Sequence, residues 1–518
     1  MPIAGPPLAE PISTADILAM GLRSDPHGLA LTSVKGKFTW QEVDDQSSQL
    51  ASGYLDLGLS AGDRVASLLP NRPVVVIHYL ACLKAGLVAT PLNYRYTPVE
   101  IDHALEVSGA SLLLHHSERD ADIAASKRAV KLSKGTIRCE AGNDRGVQFQ
   151  DLLQEQPKSG FPRAAPDAPA FLFFTSGSTE LPKGVTHTHR TLGWMLASVV
   201  ESFHFCPQDV LLPGSSFAHM AASLFSLSIL AAGGQLVVPW GNHSDELLPL
   251  IRSTRPTVMF MLPSALIGLV RDYGAQHEDF SSLRLCFAGG DKVSAELESE
   301  FTELTGCVID EGYGMTETGH ATISPTDGEI RLGSIGIPCP GYEFSIRDED
   351  GNELSTGQSG RAWVRFMGNS VGYWNHPEAT ARAFDGEWLD TGDVMAADSD
   401  GYLWFRGREK QIIVHDGSNI CPQEVEEVIG LHPAVEAVCV VGVHDSIHGE
   451  NVRAYITLRD SIAPRNAADL IRFARKKVGY KAPDQIVFLD RMPLNAAGKL
   501  DRTKLIQLAE QRLETPPG

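Results

Sequence analysis

Short apolar runs, closed off by glycine and proline, recur through the first two-thirds of the chain. "DRVASLLP" (63–70) has the length and composition of a buried strand. "PVVVIHYLACLKAGLVATPLN" (73–93) is apolar at nearly every position, which predicts a buried helix running to Gly86 and then a second strand. "ASLLLHH" (110–116) is another strand, and the alternation continues through "DVLLPGSSF" (209–217), "GGQLVVPW" (233–240), "PTVMFMLP" (256–263) and "LRLCFAGG" (283–290). Strand and helix in turn predict parallel sheet. The most apolar stretch, "ASLFSLSILAAGGQLVVPW" (222–240), carries serines and a Gly-Gly break, so it is read as a buried helix and a strand rather than a membrane span.

After about Leu332 the pattern changes. Short strands with Gly and Pro turns dominate "GSIGIPCPGYEFSIRDEDGNEL" (333–354) and "GRAWVRF" (360–366), with a turn expected at Asp350-Gly351. The last hundred residues change again. "PQEVEEVIGLHPAVEAVCVVGV" (422–443), "VRAYITL" (452–458) and "ADLIRFARKKVG" (468–479) read as helix, strand, strand, helix, a small α+β module. No internal repeat or low-complexity tract is visible.

A chain of 518 residues is too long for one hydrophobic core, so two to four structural units are expected. The net charge of −20 argues against partners that need broad basic surfaces, nucleic acid and anionic membrane. An anionic substrate would need positive charge gathered at its site. The eight cysteines show no metal-ligand spacing and are read as reduced thiols of a cytoplasmic protein. "MPIAGPPLAE" lacks the basic and apolar regions of a secretory signal.

Chemistry is first suggested by "FTSGSTELPKGV" (174–185). Its small residues can turn backbone N–H groups toward an anion. Thr175, Ser176, Ser178 and Thr179 add hydroxyls around Gly177, and Lys183 adds a point charge. The Walker pattern fails, because Pro182 stands at the second glycine and Gly184 at the hydroxyl position. The dinucleotide pattern fails in "GYGMTETG" (312–319), where Glu317 occupies the third glycine's place. Alone, such a loop is more often a polar surface turn. "THTHR" (186–190) sets His187 and His189 two apart, but without a third metal ligand.

The loop does not stand alone. "GYGMTET" (312–318), "WLDTGDV" (388–394), "FRGREKQIIVHDGSNICPQEVE" (405–426) and "PLNAAGKLDR" (493–502) follow it in order. Together these motifs resemble the adenylate-forming superfamily of acyl- and aryl-CoA synthetases, peptide-synthetase adenylation domains and luciferases, over nearly the whole chain. The resemblance implies an α/β multidomain fold. It has a large N-terminal domain (1–410) of two β-α-β-α-β subdomains and a β-barrel-like subdomain, and a small mobile C-terminal α+β domain (411–518). It implies that a carboxylic acid and ATP give an acyl-adenylate and pyrophosphate, after which a thiol, usually that of CoA, displaces AMP.

The same resemblance implies roles for single residues. Lys499 bridges the carboxylate and the α-phosphate. The loop from Thr175 to Lys183 holds the β- and γ-phosphates. Thr316 bonds the α-phosphate, and Glu317, with Thr175, holds Mg²⁺. Tyr313 stacks on adenine within a site that includes Gly290, Asp291, Lys292, Glu311, Gly312, Gly314 and Met315. Asp393 accepts the ribose hydroxyls, with Arg408 and Phe405 beside it. Gln411 is the hinge, and Gly417 and His448 lie toward CoA. His219, in "SSFAHM" (215–220), falls near the acyl carboxylate, as either a catalytic group or a core histidine.

Four positions depart from the pattern: Glu180 for a loop glycine, Gln411 for the usual hinge aspartate or lysine, Asp291-Lys292 for Ala-Pro, and His448 for a tryptophan. No acid stands near His219, which disfavours an amino-acid substrate. Met220, Leu224 and Phe225 suit an aryl or medium-length acyl chain. The acceptor is expected to be CoA, with a carrier protein or an amine as the alternative; an acyl carrier protein and a homodimer are the further partners left open.

Overall fold

A computed structural model describes residues 2–139, 149–153, 160–175, 182–240, 244–289, 293, 295–325, 329–331, 333–415, 418–445, 449–459, 466–495 and 499–513. The apolar runs become the inner strands of two sheets. One has the order Thr136–Cys139, Leu112–His116, Arg64–Leu68, Val88–Pro91, Pro169–Phe174, Gly184–Thr188, parallel until its last, antiparallel pair. The other has the order Ile309–Glu311, Leu285–Ala288, Val258–Met261, Val210–Gly214, Gln235–Val237, Leu29–Ser33, Gly36–Thr39, again parallel but for its final hairpin. Strands of a parallel sheet covered on both faces need apolar side chains on both, which is why these runs do not alternate.

The helix Pro73–Ala85 ends as its sequence predicts. Gly86 adopts the left-handed conformation (φ 66°) and its N–H caps the carbonyl of Cys82. Nearly every side chain of this helix is buried, and the same holds for Met220–Ala231, which leads into the strand Gln235–Val237 as expected. Each such leucine, valine or phenylalanine contributes about 1.5–3 kcal/mol by leaving water. No helix among the described residues is long and apolar enough to cross a membrane.

The Gly/Pro-punctuated region forms an antiparallel sheet of six strands. Ile3–Ala4, Glu343–Arg347, Ser359–Arg365 and Trp388–Ala397 lie in that order, and Phe384–Asp385 and Leu403–Arg408 both pair with Trp388–Ala397. The turn at Asp350-Gly351 is present, with Gly351 at φ 83°. The C-terminal region has its own sheet and core. Its helix Pro422–Gly430, long hairpin Val435–Asp445 and Gly449–Leu458, and helix Ala467–Val478 match the order read from the sequence.

Candidate active site

Five parallel strands end at one cavity of about 820 Å³. The first sheet delivers Thr175 just past Phe174. The second delivers Ser215 and His219 past Gly214, Leu262 past Met261, Gly289 past Ala288 and Gly312 past Glu311. Clefts beyond the carboxyl ends of parallel strands are the usual ligand sites of such sheets. The C-terminal region supplies the opposite wall with Val441, Gly442, Glu450, Lys499, Arg502 and Thr503. Six lysines and arginines face four carboxylates in this lining, so a chain of charge −20 gathers positive charge here.

Thr175 and Lys183 close the neck of the candidate phosphate loop. The Thr175 N–H donates to the Lys183 carbonyl (3.0 Å), and the Lys183 N–H donates to Thr175 Oγ1 (3.2 Å). Ser176, Gly177, Ser178, Thr179 and Glu180 lie outside the described residues, as do Gly290, Asp291, Lys292, Gly417 and His448.

A tight hairpin presents Thr316 and Glu317. Gly314 pairs with His320 and Met315 with Gly319, leaving Thr316, Glu317 and Thr318 in the turn. Two glycines make this possible. Gly319 sits at φ 74°, and a Cβ on Gly314 would lie 2.3 Å from the Gly319 carbonyl oxygen. Two residues outside the motifs fix the turn. The fully buried His187 donates from Nε2 to the Thr316 carbonyl (2.8 Å), and the Tyr373 hydroxyl donates to Glu317 Oε1 (2.8 Å). Tyr373 is itself held by a backbone bridge to Val185, on the strand that follows the phosphate loop. Its place in "GYW" gave no sign of this role; His187 was visible only as a weak metal candidate. His189 instead shares a hydrogen bond with Thr14 (2.6 Å), so the H-x-H pair serves two separate structural contacts.

Burial holds the Glu317 carboxyl above the ordinary glutamate range, opposed by the Tyr373 hydroxyl and the charge of Arg408. His219 precedes the helix Met220–Ala231 without capping it. Burial, then the charges of Lys499 and Arg95, lower its imidazole to about 4, so it is neutral near pH 7. Lys499 and His219 line the same cavity. The Lys499 backbone is fixed by a two-way bond with Asn495: its N–H donates to Oδ1 (3.1 Å), and its carbonyl accepts from the Asn495 N–H (2.8 Å).

Tyr313, Asp393 and Phe405 pack together behind the wall residues Gly312, Gly314, Thr391 and Gly392. The Tyr313 hydroxyl donates to Asp393 Oδ2 (2.6 Å), and its ring stacks on Phe405 with centroids 6.2 Å apart. Asp393 Oδ1 lies 3.3 Å from Arg408 Nε, outside hydrogen-bonding geometry, and is buried without a hydrogen bond. Such an oxygen is a ready acceptor for a ligand hydroxyl. Gln411 ends the short turn Glu409–Gln411 and lines the cavity between its two walls. Met220 and Phe225 line it too, whereas Leu224 packs in the core behind Gly319.

Comparison with known proteins identifies the family. The family model of AMP-binding enzymes matches residues 21–374, and that of the AMP-binding enzyme C-terminal domain matches residues 424–499. A feruloyl-CoA synthase from Amycolatopsis is 32% identical over 92% of this chain and 95% of its own. A long-chain-fatty-acid CoA ligase from Escherichia coli O157:H7 is 30% identical over 92% of this chain and 91% of its own. The crystal structure of the anthranilate CoA ligase AuaEII in complex with anthranoyl-AMP superposes with a TM-score of 0.90 at 26% identity, covering 98% of this chain and 99% of that one. Matched across both regions by the family models, the chain belongs to the AMP-binding enzymes, the adenylate-forming superfamily that includes the acyl- and aryl-CoA synthetases.

Proposed function

We propose that this chain is an AMP-forming acid–thiol ligase that activates an aryl or medium-chain acyl carboxylic acid as its adenylate and passes the acyl group to CoA. One observation carries the reading: Lys499, from the C-terminal wall, and Thr316 and His219, from the body, line one cavity. The first step brings a carboxylate oxygen toward the α-phosphorus of ATP. Two like charges about 4 Å apart repel by roughly 4 kcal/mol at an effective dielectric near 20. Lys499 supplies the opposing charge where the anions meet, and the Thr316 hydroxyl donates to the α-phosphate. The oxygen–phosphorus bond forms, the bond to the pyrophosphate oxygen breaks, and the Thr175–Lys183 loop retains the leaving group.

The neutral His219 orients the carboxylate without offering it a proton. Asp393 Oδ1 accepts from the ribose, and Tyr313, set behind Gly312 and Gly314, bounds the adenine side. Glu317 fits Mg²⁺, being a carboxylate at the cavity wall held by one neutral donor. No cluster of three metal-ligating side chains is found among the described residues, so Glu317 would hold the ion together with oxygens from outside the chain. An ion held there would supply positive charge against the phosphates. The second half-reaction takes the C-terminal region (411–518) through a rotation about Gln411, withdrawing Lys499 and bringing Gly417 and His448 toward CoA.

Incubation with ATP, Mg²⁺, CoA and a panel of carboxylic acids, with products read by mass, tests this. AMP and a CoA thioester are expected in equal amounts. AMP release with no thioester, or an amide when an amine is supplied, would contradict the CoA step.

A further inference from the structure

The segment that carries Lys499 is tied down on both sides. Before it, Asn495 exchanges two hydrogen bonds with Lys499, Leu494 bridges to Leu500, and the Asp501 N–H donates to the Pro493 carbonyl (2.9 Å). After it, Arg502 opens the helix Arg502–Leu513, and its side chain bonds outside the segment. Nη2 donates to Glu426 Oε2 (2.7 Å) on the helix Pro422–Gly430, and Nη1 donates to the Val440 carbonyl (2.8 Å) on the strand Val435–Asp445. Glu426 closes the figure. Its Oε1 lies 2.6 Å from Arg502 Nη1 and accepts from the Val440 N–H (2.6 Å).

The place of Val440 explains the pair. Among the described residues its strand pairs only with Gly449–Leu458, so it forms an edge of the C-terminal sheet. An edge strand leaves backbone N–H and C=O groups open on its outer side. Glu426 takes the one and Arg502 the other, standing where a further strand would run. The two side chains are only 14% and 16% exposed. A planar guanidinium against a carboxylate fixes direction as well as distance. Arg502 borders the cavity, but its charge is already opposed by Glu426 within the C-terminal region. The helix it opens has a separate hold on the core, through Leu505 and Ala509 among Cys439, Val441, Val443 and Tyr455. Loss of the fork therefore leaves the helix docked and frees only its first turn, next to Lys499.

We propose that Arg502, through Glu426 and the edge of the sheet at Val440, aims Lys499: it is a positioning residue of the adenylation step and touches neither the acid nor the phosphates. The inference rests on the acid-activating reading above. A reacting group misplaced by about 1 Å can lose on the order of a hundredfold in rate, so a small swing of this segment is enough to matter.

The two half-reactions test it on the full-length enzyme. Pyrophosphate–ATP exchange is measured with the best acid substrate, and consumption of preformed acyl-adenylate by CoA is measured beside it. Arg502→Ala should lower kcat for exchange by about tenfold or more, with KM for ATP and for pyrophosphate within about threefold of wild type. CoA should still consume the adenylate within about threefold, which also shows that the variant folds. Glu426→Gln keeps the shape but loses the charge, and should lower exchange in the same way. The double variant should be no worse than Arg502→Ala alone, because the pair acts as one unit. Arg502→Lys keeps the charge without the fork and should recover only part of the rate. Exchange within about twofold of wild type in Arg502→Ala overturns the inference. So does a raised KM for ATP or pyrophosphate with kcat kept, the mark of direct phosphate contact, or an equal fall in both half-reactions, the mark of a general scaffold. If the wild type supports no exchange with any acid, the adenylation reading fails and this inference with it; wild-type exchange with indifferent variants removes only the role given to Arg502.

Discussion

At the scale of single residues, a buried carboxylate has to be kept ionised. Glu317 is held above the usual range by burial, and the Tyr373 hydroxyl pulls it back by donating to Oε1 at 2.8 Å. Removing that hydroxyl in Tyr373→Phe leaves burial less opposed, so the carboxyl rises further. A carboxylate that must be charged to work acts above its pKa and fails as pH falls through it. The acid limb of kcat/KM for ATP should therefore move to higher pH in the variant, with the plateau near pH 8 kept within about threefold. A limb that stays in place, or moves to lower pH, would remove Tyr373 from the site. Neither Tyr373 nor His187 was legible as a site residue. Their contacts with Glu317 and Thr316 span 56 and 129 residues, and a hydroxyl or imidazole in a strand-like run carries no mark of its distant partner.

At the scale of elements, the hairpin around Thr316 is the most demanding piece of backbone in the site. A Cβ at Gly314 would meet backbone on the opposite arm, the Gly319 oxygen at 2.3 Å and His320 Cα at 3.1 Å. Backbone cannot swing aside as a side chain can. Gly314→Ala should therefore displace Thr316 and His320 together and lower pyrophosphate exchange by about tenfold or more, while the melting temperature falls by only about a few degrees. Full activity in this variant would show that the hairpin does not set the geometry. The sequence shows this string as a motif but not as a hairpin, because arms of two residues carry no periodicity. The longer strands were legible: Arg64–Leu68, Leu112–His116, Val258–Met261 and Leu285–Ala288 are apolar runs bounded by Gly or Pro. Leu29–Ser33 was not, because its place depends on Leu236 and Val237, some two hundred residues away.

At the scale of the whole molecule, the site exists only where the C-terminal region meets the body. Arg459 pairs with Glu296 on the helix Ala295–Thr305, an exposed contact of the kind that contributes about 0–1 kcal/mol. So weak a tie is compatible with the rotation proposed above for the C-terminal region. The composition of each region was legible in its hydrophobic pattern. The meeting of Thr175, His219, Thr316 and Lys499 was not, since positions hundreds of residues apart share no local signal; only the resemblance of the ordered motifs implied it.

The central claim is that Lys499 supplies the charge that lets two anions react. Exchange of labelled pyrophosphate into ATP, followed side by side in the wild type and in Lys499→Ala with the best acid substrate, tests it most directly. The account predicts exchange in the wild type and a loss of about a hundredfold or more in the variant, while CoA still consumes preformed acyl-adenylate. Normal exchange in Lys499→Ala would contradict it.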